Sequence, residues 1–159
     1  MDSEPAIVRN FVESDLKSVM ELESCFEPCE RYTEKDFVRL SRPPAVFLVA
    51  EVNSRIAGYI LIRRQGRMFE IVSIAVKPEN RRRGIGRLLF EEAFRRLDGR
   101  GDGFRLAVRE GNDAAKTLYV SLDFKVVGRV PRYYCGEEDA LIMERKCATN
   151  AKTPHFNAY

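Results

Sequence analysis

The chain has 159 residues, of which 45% are hydrophobic and 32% charged, with 27 Lys and Arg against 24 Asp and Glu. This length predicts one domain, and this composition excludes a disordered or collagen-like polymer. A net charge of +3 does not indicate a nucleic-acid partner, and no apolar run reaches the roughly 20 residues of a membrane span. Residues 1–5 lack a signal-peptide pattern, so we expect a soluble, cytoplasmic protein with no membrane partner.

The N-terminal part predicts one strand and two short helices. Ala6–Phe11 has the pattern of a strand. Ser14 is a candidate cap for the first helix, whose apolar positions recur at helical spacing: Leu16, Val19, Met20, Leu22 and Phe26. Thr33-x-x-Asp36 resembles a capping box that opens the second helix, and Pro43-Pro44 ends it.

Three strand-like segments follow: Val46–Val52, Ile56–Arg63 and Phe69–Val76. The short turns Asn53-Ser54 and Gln65-Gly66 between them predict hairpins, and therefore an antiparallel meander. After Pro78 the pattern becomes alternating. It predicts a helix over Gly84–Leu97, a strand over Phe104–Val108, a helix over Asn112–Leu122, and strands near Lys125–Val130 and Asp139–Glu144.

This order of elements predicts an α+β fold, antiparallel first and with a parallel strand–helix–strand unit in the second half. We expect a single domain over residues 1–146. Residues 147–159 show no periodicity, which predicts a C-terminal tail.

The cysteines, Cys25, Cys29, Cys135 and Cys147, include no Cys-x-x-Cys pair, and His155 is the only histidine. Zinc sites need clustered Cys and His ligands. We therefore expect no metal and reduced, structural thiols.

A phosphate-binding loop is the most informative prediction. Gly84-Ile85-Gly86 opens a helix directly after strand Ile71–Val76 and loop Lys77–Arg83. Free backbone N–H groups and the helix dipole favour a phosphate at such a helix start. A Walker loop is excluded because Arg87-Leu88 follows, and a dinucleotide fingerprint is excluded because Leu89 replaces its third glycine. A glycine-rich helix start with solvated arginines stays open as the alternative.

Ser73–Pro78 followed by Arg81-x-x-Gly84-x-Gly86 resembles the acetyl-CoA motif of the GNAT acetyltransferase superfamily. Leu106–Asn112, with Leu118-Tyr119 and Phe124, looks like that superfamily's next strand and helix. Arg132-Tyr133-Tyr134 and Glu138–Met143 are similar to the C-terminal pattern of its RimI-like branch, whose members acetylate protein N-terminal amines. The resemblance extends roughly over residues 5–146.

The resemblance implies a GNAT fold, in which a mixed, mostly antiparallel sheet is flanked by helices and two strands splay after a bulge in the fourth strand. It implies acetyl-CoA as cosubstrate and no metal. The pantetheine arm would then pair with backbone at Ile74, Ala75 and Val76, and Asn112 would reach the pantetheine or the phosphate end. The residues implied around the pyrophosphate are Arg81, Arg82, Arg83, Gly84, Ile85, Gly86 and Arg87.

The resemblance also implies catalytic groups. Tyr119 corresponds to the family's helix tyrosine, the acid for the CoA thiolate; the alternative is a core tyrosine. RimI-like enzymes typically carry Glu where this chain has Ala107, so we predict that Glu70 accepts the amine proton through water. The alternative for Glu70 is an exposed glutamate at a strand end, and Glu110 is a weaker candidate base. Asp123 replaces a family glycine at a position that often needs the left-handed conformation.

Two loops are implied to flank the substrate. One lies between the first two helices and carries Phe26, Glu27, Pro28 and Tyr32; the other precedes the last strand and carries Tyr133 and Tyr134. The substrate implied is a protein or peptide N-terminus, with the enzyme a monomer or homodimer. A small-amine acetyltransferase is one alternative, which the acidic run Glu137-Glu138-Asp139 favours slightly. A catalytically weak acetyl-CoA-binding module is the other, because of Ala107.

Overall fold

The computed structural model describes residues 4–148 and arranges seven strands there in one sheet, in the order β1-β2-β3-β4-β5-β7-β6. The strands are β1 (Ile7–Asn10), β2 (Val46–Val52), β3 (Arg55–Gln65), β4 (Met68–Val76), β5 (Gly103–Arg109), β6 (Lys125–Tyr134) and β7 (Glu138–Lys146). The helices are α1 (Leu16–Glu23), α2 (Glu34–Leu40), α3 (Ile85–Leu97) and α4 (Asp113–Ser121). Within this range only β4 and β5 pair in parallel, and α3 connects them. The predicted mixed, mostly antiparallel α+β architecture is confirmed.

Helices cover both faces of the sheet because strand side chains alternate between two apolar cores. Helices α3 and α4 pack on one face, over residues that include Ile60, Ile62, Phe69, Phe104 and Met143. Helices α1 and α2 pack on the other face, over residues that include Phe47, Val49, Tyr59 and Leu61. In the described residues, no helix is long and apolar enough to cross a membrane.

The start of α1 differs from the prediction. Ser14 lies inside a 3-10 helix, Glu13–Asp15, and does not cap α1. The carboxylate of Asp15 instead accepts a hydrogen bond from the Val12 backbone N–H at 2.9 Å and pairs with Arg9 at 2.7 Å. A buried carboxylate beside an arginine is a stronger acceptor than a serine hydroxyl, and Arg9 lowers the pKa of Asp15.

The predictions for the start of α2 and for Asp123 are confirmed. Thr33 and Asp36 form the capping box: the Thr33 hydroxyl accepts from the Asp36 N–H, and the Asp36 carboxylate accepts from the Thr33 N–H. Asp123 adopts the left-handed conformation with φ 69°. Cys147 and Ala148 donate backbone hydrogen bonds to Asp102 and Asp98, while the rest of the predicted tail, with His155, lies outside the described residues.

The prediction of reduced thiols is wrong for two cysteines. Cys29, between α1 and α2, forms a disulfide with Cys135, at the turn between β6 and β7, and their Cα atoms are 5.8 Å apart. Cys25 and Cys147 are free. The spacing of these residues along the chain gave no signal of the pairing, because they are 106 positions apart and only the folded sheet brings them together.

Candidate active site

The centre of the site is a gap between β4 and β5. The two strands pair only at their starts, ending with Glu70 opposite Arg105. The pairing of β4 with β3 skips from Ile71 to Ser73, so Val72 is an extra residue that bends the strand. Beyond the bulge β4 follows β3, while β5 follows β7. This splay, implied by the resemblance, leaves the β5-facing backbone edge of Ile74, Ala75 and Val76 without a strand partner among the described residues.

The loop before α3 has the geometry of an anion site. Gly84 is the N-cap of α3 with φ 73°, a conformation that glycine adopts without strain. In the described part of the chain, the backbone N–H groups of residues 82–87 donate to no backbone carbonyl. The next N–H that does is that of Leu88, which bonds the Gly84 carbonyl at 3.0 Å. The intervening N–H groups therefore project from the helix start, where the dipole is positive. Arg81, Arg82 and Arg83 are exposed around them.

Gly86 has a second role, in helix packing. A Cβ atom there would lie 3.3 Å from Cδ2 of Leu118 on α4, so glycine lets α3 and α4 approach closely. Asn112 is the N-cap of α4, and its side-chain oxygen accepts from the Ala115 N–H at 3.2 Å. This bond leaves the Asn112 amide N–H groups for a ligand.

Tyr119 lies on α4 with its ring packed edge-on against Phe90 and Phe124, at centroid distances of 5.7 and 6.0 Å. Burial raises its pKa to about 12, so the hydroxyl keeps its proton at neutral pH. The Tyr119 hydroxyl makes no hydrogen bond within residues 4–148. Every fully buried side-chain oxygen in that range has a hydrogen-bond partner, so the Tyr119 oxygen is not fully buried. Its oxygen therefore reaches the edge of the core, as a proton donor to a bound group requires.

Glu70 is exposed and lies inside β4 rather than at a strand end. In the sheet register it stands opposite Arg63 of β3 and Arg105 of β5. Strand alternation puts it on the face of the sheet that α1 and α2 cover. Its charge contributes to the raised pKa of Tyr32, after burial and the charges of Tyr133 and Glu23. Glu110, the weaker candidate base, is paired with Arg129.

The segments predicted to flank the substrate lie together. Phe26, Glu27, Pro28 and Tyr32 are between α1 and α2, as predicted. Tyr133 and Tyr134 are not in a loop: β6 extends to Tyr134 through a bulge opposite Asp139, whose carboxylate accepts from the Arg132 N–H at 3.0 Å. The bulge absorbs the irregular residues inside the strand, which is why no loop interrupts it. We call Tyr32, Tyr133 and Tyr134 the tyrosine cluster.

The tyrosine cluster is held by two cross-connections. The Cys29–Cys135 disulfide joins the segment between α1 and α2 to the β6–β7 turn. Arg109 pairs with Glu30 at 2.6 Å and with Glu138, one acid from each segment. Burial raises the pKa of Tyr134, with further contributions from the charges of Tyr133, Glu30 and Tyr119, so the cluster and the candidate acid share one electrostatic environment.

Sequence reasoning missed a buried glutamate. Glu23, the last residue of α1, is 1% exposed, and burial raises its pKa. It accepts hydrogen bonds from the Tyr59 hydroxyl and from the Tyr32 N–H, both at 2.6 Å. A signal was present, because Glu23 occupies a helical position between Val19 and Phe26 on the apolar stripe of α1. Arg109 had no such signal, since its two acidic partners lie far from it in the chain.

Comparison with known proteins identifies the family. The sequence model of the acetyltransferase (GNAT) family matches residues 16–124 of the chain. The chain belongs to the GNAT family. It is therefore an N-acetyltransferase, and acetyl-CoA is the acetyl donor of this family. Within residues 4–148 no cluster of three His, Cys, Asp or Glu side chains could hold a metal ion.

Three relatives extend this result. The chain is 36% identical over 152 residues to the N-alpha-acetyltransferase RimI of Mycobacterium tuberculosis, covering 91% of this chain and 94% of that one. The ribosomal-protein-S18-alanine N-acetyltransferase of Escherichia coli superposes with a TM-score of 0.83 and 26% identity, over 98% of this chain and 99% of that one. NAA60 of Arabidopsis thaliana in complex with acetyl-CoA has a TM-score of 0.78 over 89% of this chain and 98% of that one; at 20% identity this likeness concerns the fold.

Proposed function

We propose that this GNAT enzyme transfers the acetyl group of acetyl-CoA to the N-terminal α-amine of a protein or peptide, by direct attack of the amine in a ternary complex. The observation that carries the proposal is the tyrosine cluster, held by Arg109 and the Cys29–Cys135 disulfide beside the gap between β4 and β5. Tyrosine rings give apolar contact and their hydroxyls bind peptide backbone. The similarity to two enzymes supports it: one is named an N-alpha-acetyltransferase and the other a ribosomal-protein-S18-alanine N-acetyltransferase.

The gap fits acetyl-CoA. An amide-rich pantetheine arm can pair with the β4 backbone edge at Ile74, Ala75 and Val76, as an added strand would. A pyrophosphate suits the projecting N–H groups of residues 82–87 and the exposed arginines before them. We assign Ile74, Ala75 and Val76, residues 81–87 and the Asn112 amide to acetyl-CoA binding.

Proton transfer needs an acceptor for the amine proton and a donor for the CoA thiolate. An α-amine, with a pKa of about 7.7–8.0, is partly neutral at pH 7, whereas lysine near 10.4 is not. We assign the acceptor to Glu70 acting through water, because Ala107 cannot accept a proton. Tyr119 is the donor, since its raised pKa keeps it protonated and its hydroxyl lies at the edge of the core.

The small-amine alternative gains no support from the acidic run at residues 137–139. Glu138 is paired with Arg109, and Asp139 lies 3.7 Å from Arg129. With two of these carboxylates already beside arginines, little negative charge remains to attract a polycation. Phe26, Glu27 and Pro28 in one segment, with the tyrosine cluster, suit the first residues of a peptide better. We also propose a cytoplasmic location, and a monomer or homodimer.

The proposal is tested by measuring CoA release with four acceptors: a peptide with a free small N-terminal residue, the same peptide blocked at its α-amine but containing lysine, a polyamine and an aminoglycoside. We expect the free peptide to react much faster than the others. Equal rates for the two peptides, or a preference for polyamine or aminoglycoside, would replace this function with lysine or small-amine acetylation. No CoA release with any acceptor, despite acetyl-CoA binding, would favour the non-catalytic module.

A further inference from the structure

A hydrogen-bonded chain connects the buried carboxylate of Glu23 to the gap between β4 and β5. One oxygen, Oε2, accepts from the hydroxyl of Tyr59 at 2.6 Å, and that hydroxyl lies 2.7 Å from Oγ of Ser73. Tyr59 on β3 is 0% exposed. The other oxygen, Oε1, accepts from the Tyr32 N–H. The chain thus begins in the core under α1 and ends on β4.

The direction of each hydrogen bond follows from the chemistry of its groups. When Glu23 is ionised, its carboxylate only accepts, and the single proton of the Tyr59 hydroxyl is then committed to Glu23. Tyr59 can then only accept from Ser73, and the Ser73 hydroxyl must donate its one proton to Tyr59. What remains of Ser73 is acceptor capacity alone. A group that meets Ser73 from the gap must therefore be a donor.

Ser73 lies where the reacting groups are expected to meet. It is the first residue after the bulge at Val72, beyond the last pair between β4 and β5, and it is half-buried. It immediately precedes Ile74, where the proposed pantetheine-binding edge begins. The Tyr59 contact shows that its side chain is on the face covered by α1 and α2, which also carries the segment with Tyr32.

We propose that Ser73 accepts a hydrogen bond from the substrate amine, and that Glu23 and Tyr59 are positioning residues that keep its hydroxyl in the acceptor orientation. This inference rests on the proposed acetyl transfer to an amine and assigns its amine-binding contact. A neutral amine that donates one N–H to Ser73 keeps its lone pair for the thioester carbon. Glu70 remains the acceptor of the proton that leaves through water.

Glu23→Gln reverses the donor–acceptor direction of this hydrogen-bonded chain with little change in side-chain shape. The glutamine oxygen still accepts from the Tyr32 N–H, but its amide N–H₂ now faces Tyr59 and donates to it. Tyr59 then donates to Ser73, which releases the Ser73 proton toward the gap. Ser73→Ala removes the acceptor altogether. Glu21→Gln changes an exposed glutamate on the same helix and is the matched control.

We expect Glu23→Gln and Ser73→Ala each to lower kcat/KM for the peptide amine by about tenfold, the value of one hydrogen bond. Glu21→Gln should have no effect, and acetyl-CoA affinity, measured by calorimetry, should stay the same in all variants. The decisive comparison is the double variant. If Glu23 acts through Ser73, Glu23→Gln has no further effect once Ser73 is alanine. An equal further loss in the Ser73→Ala background would mean that Glu23 is only structural, and the inference would be wrong.

A binding measurement keeps the inference testable if Glu23→Gln unfolds or if no peptide reacts. Calorimetry on the CoA-saturated protein compares the free peptide with its des-amino analogue, which lacks the α-amine. The wild type should prefer the amine by about tenfold, and Ser73→Ala should abolish the preference. No preference in the wild type would overturn the inference. If the enzyme instead acetylates only polyamine, the proposed function fails, and the same variant series with polyamine still tests Ser73.

Discussion

The guanidinium of Arg109, at the end of β5, donates to the carboxylate of Glu30 at 2.6 Å and also to that of Glu138. Its central carbon lies over the Tyr134 ring, 4.8 Å from the ring centre. Glu30 precedes α2, whereas Glu138 and Tyr134 flank the β6–β7 turn. One side chain therefore connects β5, which borders the gap, to both segments around the tyrosine cluster.

Arg109→Gln should loosen these segments without disturbing the acetyl-CoA loop. A planar guanidinium makes its two contacts at a fixed angle, and glutamine cannot reproduce them. We expect KM for the peptide to rise about tenfold, since charge-assisted hydrogen bonds contribute about 1.5–3 kcal/mol. The control is Arg95→Gln, an exposed arginine on α3 whose partner, Glu92, lies on the same helix. An unchanged peptide KM in Arg109→Gln would contradict the positioning role.

The loop before α3 is tested by charge reversal. Arg83→Glu would bring a negative side chain to the proposed pyrophosphate site, and we expect at least tenfold weaker acetyl-CoA binding by calorimetry. Arg100→Glu makes the same change at an exposed arginine after α3 and should leave the affinity unchanged. The loss should shrink at high salt because exposed charges are screened. Equal affinities for the two variants would remove the loop from the binding site.

Glu70→Gln removes the proposed proton acceptor and keeps the size of the side chain. General-base assistance typically contributes about 10²–10⁴-fold, so kcat/KM should fall by that factor while acetyl-CoA binding persists. Adding Ala107→Glu to the Glu70→Gln enzyme should partly restore the rate, since Ala107 occupies the position of the family's usual carboxylate. A loss below about threefold at several pH values would mean that Glu70 has no catalytic role and that the amine proton goes directly to solvent.

Glu23 should make stability depend on pH. Burial raises its pKa in the folded state, opposed by the hydrogen bonds from Tyr59 and Tyr32 and by the charge of Arg31, with Glu30 adding to the rise. A carboxyl whose pKa is raised binds its proton more tightly when folded, so the wild type loses stability as pH increases from the unfolded value, about 4.3, through the folded pKa. Relative to the wild type, Glu23→Gln should therefore gain free energy of unfolding across that window. A constant difference in urea titrations from pH 4 to 8 would show that the pKa is not raised.

Local patterns were enough to predict much of the fold. The apolar run at Val46–Val52 marked β2 with the bounds that the structure has, because a strand buried on both faces is uninterrupted. The loop at Gly84 was also visible, since its backbone needs a conformation that glycine adopts most readily.

What sequence reasoning missed depends on contacts between distant segments. Periodicity places Glu23 on the apolar stripe of α1, but its partner, the Tyr59 hydroxyl, lies on another element. The Cys29–Cys135 bond exists because the β6–β7 turn lies over the segment before α2. Likewise, β6 continues to Tyr134 because the bulge opposite Asp139 is stabilised by its partner strand. Periodicity along one segment carries no information about a partner elsewhere in the chain.

The central claim, α-amine acetylation, is tested most directly with one peptide that carries both a free N-terminal α-amine and an internal lysine. After partial reaction with acetyl-CoA, fragment-ion mass spectrometry locates the acetyl group. Acetyl on the first residue, with the lysine unmodified, is the result predicted by the amine pKa values and by the tyrosine cluster beside the gap. Acetyl on the lysine side chain, with the α-amine free, would contradict it.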